Sequence, residues 1–98
     1  MSRRRTALLC LLLLTPFGAA VAADAPPGAS SCSGCHPVSR AVETPAGRLV
    51  GRSAADIATA MLAFRAGQRP GTIMDRIAKG FTDDEIKAIA DWYGAQKD

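Results

Sequence analysis

Three side chains within five residues carry the clearest chemistry of this chain. Cys32 and Cys35 are separated by two residues, and His36, the single histidine of the sequence, follows directly. This spacing is typical of covalent haem attachment, because two thiols so placed reach both vinyl groups of one porphyrin. The adjacent imidazole then ligates the iron. The motif predicts one covalently bound haem c, with thioether bonds from Cys32 and Cys35 and with His36 as proximal ligand.

A disulfide between Cys32 and Cys35 and a zinc site are the alternative interpretations of the motif. Zinc prefers four ligands, yet the sequence has no second histidine and one further cysteine, Cys10. A thioredoxin-like redox site needs a strand before the motif, whereas Pro-Pro-Gly at residues 26–28 precedes it. Cys10 lies in the apolar stretch of the export signal described below, so neither alternative finds supporting residues in the rest of the chain.

Two methionines are the candidates for a sixth iron ligand. Met61 lies at helical spacing between apolar residues, where methionine is an ordinary core residue. Met74 follows a Pro-Gly-Thr turn at residues 70–72, far enough beyond His36 for the chain to reach the opposite face of a haem. We therefore predict that Met74 is the second axial ligand. A thioether ligand raises the reduction potential of the iron, which suits an electron carrier.

The first 23 residues have the pattern of an export signal. Three arginines at positions 3–5 precede an apolar stretch over residues 7–14, and small residues at 20–23 offer a cleavage site. The apolar stretch is far shorter than the roughly 20 residues of a membrane-spanning helix. We predict a cleaved signal peptide over residues 1–23, a periplasmic location, and a domain over residues 24–98 without stable membrane insertion.

Charge gives no indication of a nucleic-acid partner. The whole chain carries 12 Lys and Arg against nine Asp and Glu, a formal net charge of +3. The three arginines of the predicted signal account for this excess, so the domain after it is neutral. A neutral domain without a run of basic residues is not expected to bind nucleic acid.

The pattern of apolar residues predicts an all-α domain. Ser53 is placed to cap a helix whose apolar face includes Ile57, and Gly67 to end it. A short helix follows after Thr72, and Thr82 opens a C-terminal helix with three acids in its first turn. Before these helices, we expect one short helical turn that carries the cysteines and a loop from residue 37 to 51. The stripe expected on the buried face of the C-terminal helix consists of Ile86, Ile89, Ala90 and Tyr93.

The motif at residues 32–36, followed by Pro-Gly-Thr-Ile-Met at residues 70–74, resembles class I cytochromes c. Within that class, residues 63–70 and 74–81 are similar to the cytochrome subunit of flavocytochrome c sulfide dehydrogenases. The resemblance covers essentially the whole predicted domain. It implies a small fold of three to four short helices and loops wrapped around one covalent haem, with the N- and C-terminal helices packed together.

The resemblance also implies how the haem is surrounded. The family often has a proline whose carbonyl orients the proximal histidine, but this chain has Gly47 at that position, so Pro45 is the expected source of the carbonyl. Arg69 and Arg76 are candidates for pairing with haem propionates or with a partner. The side chains expected either to wall the haem or to pack in the core are Leu49, Phe64, Ile73, Ile77 and Trp92.

The function that follows from these residues is transfer of single electrons, and the chain is not expected to be an enzyme. The resemblance implies that a sulfide-oxidising flavoprotein subunit is the electron donor. A free monohaem carrier serving another dehydrogenase or an oxidase is the alternative. A gas-binding haem protein, which needs an open sixth position, is a further alternative of a different class.

Overall fold

A computed structural model describes residues 24–97 as a helical domain. Its elements, in chain order, are α1 (Ala29–Cys32), α2 (Ala54–Arg65), α3 (Met74–Ile77), a 3₁₀ turn (Ala78–Gly80) and α4 (Asp83–Ala95). Within these described residues there is no β-strand, which confirms the predicted all-α class. Over the same range, no helix combines the length and apolarity needed to cross a membrane. The predicted signal peptide at residues 1–23 lies outside the described residues.

Helix α2 begins and ends where the sequence predicts. The Ser53 hydroxyl accepts a hydrogen bond from the Asp56 N–H at 3.1 Å, which satisfies one of the free amides of the first turn. Two residues after the last helical residue, Gly67 has a φ of +72°, a left-handed conformation that favours glycine. The chain therefore leaves α2 at this point and turns towards α3.

Helix α4 has the stronger cap. The Glu85 N–H donates to the Thr82 hydroxyl at 3.3 Å, and the Thr82 N–H donates to the Glu85 carboxylate at 2.8 Å, which together form a capping box. The Arg65 guanidinium, at the end of α2, donates to the Phe81 carbonyl at 3.0 Å and pairs with Asp83. These contacts fix the start of α4 against the end of α2.

The core lies between α2 and α4, which form the main helix pair. All four residues of the predicted α4 stripe are buried. The two helices lie close together at Gly94, where an added Cβ would lie 2.7 Å from the backbone nitrogen of Ala54. The core divides into two clusters, one of Ala29, Val50, Ile57, Ile89, Ala90 and Tyr93, and the other of Met61, Ala78 and Ile86.

Helix α1 has a single turn and depends on α4 for its position. The buried Tyr93 hydroxyl donates to the Ala29 carbonyl at 2.9 Å, and Ala29 itself is buried in the first core cluster. Gly28, at the start of α1, has a φ of +89°, and a Cβ there would lie 2.7 Å from the Phe81 ring. The predicted contact between the N- and C-terminal helices is therefore present.

Replacing Gly94 with alanine should destabilise the haem-loaded protein. The new methyl group would meet backbone atoms of Ala54, so α2 and α4 must move apart, and we expect the free energy of unfolding to fall by about 1–3 kcal/mol. Chemical denaturation measures this change. Gly80→Ala is the matched control, because nothing lies within 4 Å of a Cβ at Gly80. Equal stability of the two variants would contradict the close approach.

Replacing Tyr93 with phenylalanine should lower the free energy of unfolding by about 1–3 kcal/mol, because a buried carbonyl loses its donor.

Burial also raises the pKa of Tyr93 to about 12. The neutral hydroxyl therefore stabilises the fold fully below pH 10, its usual pKa, and this contribution is lost as the pH rises towards 12. The sequence has a single tyrosine, so tyrosinate absorbance reports this group alone. Ionisation near pH 10 in the folded protein would contradict the burial.

Candidate haem site

The Cys-x-x-Cys-His motif forms one continuous helical turn. Helix α1 ends at Cys32, whose carbonyl accepts hydrogen bonds from the N–H groups of Cys35 at 3.2 Å and His36 at 2.8 Å. Cys32 is half-buried and Cys35 is exposed, and both are free thiols. The turn therefore carries two thiols and one imidazole within five consecutive residues.

The two thiols have different surroundings. Cys32 lies against the first core cluster, and its Sγ–H donates weakly to the Gly28 carbonyl at 3.5 Å. Burial raises the pKa of the Cys32 thiol above its usual value, although a hydrogen bond from Ser31 acts in the opposite direction. Cys32 is thus held by the fold, whereas Cys35 faces solvent.

The His36 ring is oriented by the loop that follows it. Its Nδ1–H donates to the Gly47 carbonyl. A carbonyl oxygen only accepts, so this bond requires the proton on Nδ1 and leaves the Nε2 lone pair free to bind a metal. Such a bond from the second ring nitrogen is the usual way in which a ligand histidine is oriented. The expectation that Pro45 supplies this carbonyl was wrong, because the loop brings Gly47 itself to the ring.

Side-chain hydrogen bonds hold this loop, which we call the axial loop (residues 37–52). The Thr44 hydroxyl donates to the Cys35 carbonyl at 2.6 Å and lies 3.2 Å from the Ala46 carbonyl. The Arg48 guanidinium donates to the carbonyls of residues 38 and 39 at 3.4 and 3.3 Å. The loop borders an open cleft of about 670 Å³, whose lining includes Pro37, Gly47 and Val50.

The two candidate methionines occupy different environments. Met61 is buried on α2 in the second core cluster, as an ordinary core residue would be. Met74 is half-buried at the first position of α3 and contacts the same cluster from its edge. Because Met74 is only partly covered, it is the methionine with a surface free for a cofactor.

The predicted haem wall divides into two groups. Leu49 and Trp92 pack against the first core cluster, and Phe64 packs against the second. Ile73 and Ile77, which flank Met74, are 57 % and 37 % exposed. Leu49, Trp92 and Phe64 are therefore partly buried against the protein core, whereas the two isoleucines present uncovered apolar surface beside Met74.

The two predicted arginines are placed near α3. The Arg69 guanidinium lies over the Phe64 ring at 4.8 Å from its centroid, a favourable cation–π contact. Arg76 is exposed within α3. Both arginines therefore lie in the neighbourhood of Met74, and their pairing with haem propionates or with a partner stays a prediction.

The residues present fit a covalently attached haem. The thiols are free, and the imidazole keeps Nε2 for a metal because the Gly47 carbonyl occupies Nδ1. Exposed isoleucines on either side of Met74 offer apolar surface of the kind that a porphyrin covers. Among residues 24–97, no three His, Cys, Asp or Glu side chains lie close enough together to hold a metal ion.

Comparison with known proteins supports the predicted relationship. The chain is 39% identical over 64 residues to the cytochrome subunit of sulfide dehydrogenase from Chlorobaculum tepidum. The aligned region covers 65% of this chain and 58% of the relative. The similarity inferred from the motifs is thus confirmed, and the chain spans somewhat over half the length of the curated relative it matches. No family model matches the chain.

Proposed function

We propose that this protein is an electron-transfer cytochrome c with one haem bound covalently through Cys32 and Cys35. The observation that supports this proposal best is the bond from His36 Nδ1 to the Gly47 carbonyl. It leaves Nε2 free as a metal ligand on the helical turn that also carries two free thiols, and covalent attachment of a haem uses all three groups. The similarity to a cytochrome subunit supports the same proposal.

His36 and Met74 are the proposed axial ligands. Haem supplies an iron that cycles between ferric and ferrous states, and histidine–methionine ligation places its potential in the range of electron carriers. The axial loop keeps His36 in one tautomer, because the Gly47 carbonyl accepts only from a protonated Nδ1. The fold holds Met74 at the start of a short helix packed against α2. Neither ligand needs to move when an electron arrives or leaves.

The apolar surroundings of Met74 are proposed to exclude water from the site. Phe64 packs beside Met74 at the second core cluster, and a Cβ at Gly71 would lie 2.9 Å from the Phe64 ring. The turn before Met74 therefore lies directly on this ring. Ile73 and Ile77 extend the apolar surface on either side. Removing water from a redox site lowers the reorganisation energy of electron transfer, because fewer water dipoles must reorient when the charge changes. A lower reorganisation energy favours rapid electron exchange.

The proposed electron donor is a sulfide-oxidising flavoprotein with which this chain forms a complex. This proposal rests on the similarity to a subunit of sulfide dehydrogenase and on the resemblance noted from the sequence at residues 63–70 and 74–81. We also propose that residues 1–23 direct export to the periplasm and are then removed. In this arrangement the partner carries out the chemistry on sulfide, and this chain carries the electron away.

Replacing Met74 with alanine should leave the haem attached but open its sixth position. Carbon monoxide should then bind the ferrous protein rapidly, and the reduction potential should fall by about 0.1 V or more, a part of the roughly 0.8 V range set by axial ligands. Optical titration with carbon monoxide and potentiometry measure these changes.

Met61→Ala is the matched control for this prediction. It should lower the free energy of unfolding by about 2–5 kcal/mol, because it leaves a cavity in the second core cluster, while the potential stays close to that of the unmodified protein. If Met61→Ala opens the sixth position instead, the assignment of Met74 is wrong. Rapid carbon monoxide binding by the unmodified protein would favour a gas-binding function.

The partner proposal predicts that the tagged, haem-loaded protein copurifies with a flavin-containing protein from its native cells. Addition of sulfide to this complex should reduce the haem, whereas the isolated cytochrome should respond far more slowly. Optical spectra of haem and flavin follow both steps. Recovery of the cytochrome as a lone monomer, with a haem that other dehydrogenases reduce equally well, would support a free carrier instead.

A further inference from the structure

The hydrogen bond that orients His36 ends on a residue with little rigidity of its own. Gly47 is exposed, and its backbone is restricted by no side chain. The axial loop around it has no helix or strand and contains two backbone hydrogen bonds, at 3.4 and 3.1 Å. Something beyond the local backbone must therefore keep the Gly47 carbonyl against the ring.

The Thr44 hydroxyl occupies the place where such a restraint is needed. It lies 2.6 Å from the Cys35 carbonyl and 3.2 Å from the Ala46 carbonyl. Cys35 directly precedes His36, and Ala46 directly precedes Gly47. The Thr44 side chain thus contacts the residue before His36 and the residue before Gly47, and His36 and Gly47 form the orienting hydrogen bond.

The chemistry of this contact makes the hydroxyl essential to it. Two carbonyl oxygens repel each other unless a donor lies between them, and the Thr44 hydroxyl supplies the single proton that both can approach. Thr44 is half-buried, and its contact with the Ala46 carbonyl is partly buried, whereas its bond to the Cys35 carbonyl lies at the surface. Arg48, which directly follows Gly47, also restrains the loop by donating to the carbonyls of residues 38 and 39, but neither of these carbonyls belongs to a residue next to His36.

We propose that Thr44 is a positioning residue for the haem ligand: its hydroxyl holds the Gly47 carbonyl on His36 Nδ1 and thereby sets the orientation and basicity of the ring. This inference rests on the proposed role of His36 as an iron ligand. A firm Nδ1–H bond to a carbonyl makes the imidazole a stronger donor, which favours ferric iron. Loosening that bond shifts the equilibrium towards ferrous iron.

The test compares Thr44→Val, which removes the hydroxyl at almost constant volume, with Thr44→Ser, which retains it. Thr59→Val is the matched control, because Thr59 is exposed on α2 and away from the axial loop. All variants are studied as haem-loaded proteins. Exchange of the His36 Nδ1–H with solvent is followed by NMR in the ferrous state, and the ferric–ferrous equilibrium by potentiometry.

In Thr44→Val, the Nδ1–H should exchange about tenfold faster, the lower end of the range by which loss of an orienting partner changes a metal site. The redox equilibrium should move measurably towards ferrous iron. Thr44→Ser and Thr59→Val should match the unmodified protein in both measurements. Wild-type values in Thr44→Val would overturn the inference, and so would a Thr44→Ser variant that behaves like Thr44→Val.

A second variant tests whether Thr44 acts through Gly47. Gly47 does not have a left-handed φ, and an added Cβ would approach only the flexible end of Arg52, at 3.4 Å. Gly47→Ala should therefore be tolerated and should stiffen the loop. In this background, Thr44→Val should have a smaller effect on both measurements. An undiminished effect would show that Thr44 acts by another route and would overturn the inference.

Failure of the proposed function is distinguishable from failure of this inference. The unmodified protein alone decides whether haem is attached and ligated by His36. A normal haem in that protein, together with an unaffected Thr44→Val variant, rejects the role of Thr44 and leaves the proposed function intact.

Discussion

The hydrogen bond from the Tyr93 hydroxyl to the Ala29 carbonyl connects the two ends of this domain. A helix of one turn has no stability by itself, because nucleation of a helix is unfavourable. Helix α1 is such a turn, and it leads directly into the motif that carries all the proposed attachment chemistry. The motif is therefore held in place by α4, whose own position depends on its capping box and on its close contact with α2.

A second connection completes the site. From His36, the chain enters a loop without regular structure and returns to the ring through the Gly47 carbonyl. Helix α4 thus holds the turn that leads into the motif, through Tyr93 and Ala29, and the axial loop holds the His36 ring. A small domain buries a limited fraction of its surface, and the apolar surface left exposed at Ile73 and Ile77 is consistent with a core completed by a large apolar cofactor.

Local patterns in the sequence account for most of the fold. The caps at Ser53 and Thr82 and the α4 stripe depend on residues close together in the chain, and the structure has them as predicted. The source of the His36 orienting bond was mispredicted, because it depends on where a loop without periodicity places a backbone carbonyl. The close approach of Gly94 to Ala54 had no local signal either, since it joins parts of the chain distant in sequence. The contact of Thr44 with the Cys35 carbonyl spans nine residues, but it depends on the path of the same loop without periodicity.

The central claim is that Cys32, Cys35 and His36 together hold one haem. It is tested most directly by peptide mapping and mass spectrometry of the protein produced in cells that mature c-type cytochromes. The account predicts that the peptide containing both cysteines carries the mass of one haem, retained after denaturation, and that neither thiol reacts with an alkylating reagent. A haem-free peptide with two reactive thiols, or one lighter by two hydrogens as in a disulfide, would contradict it.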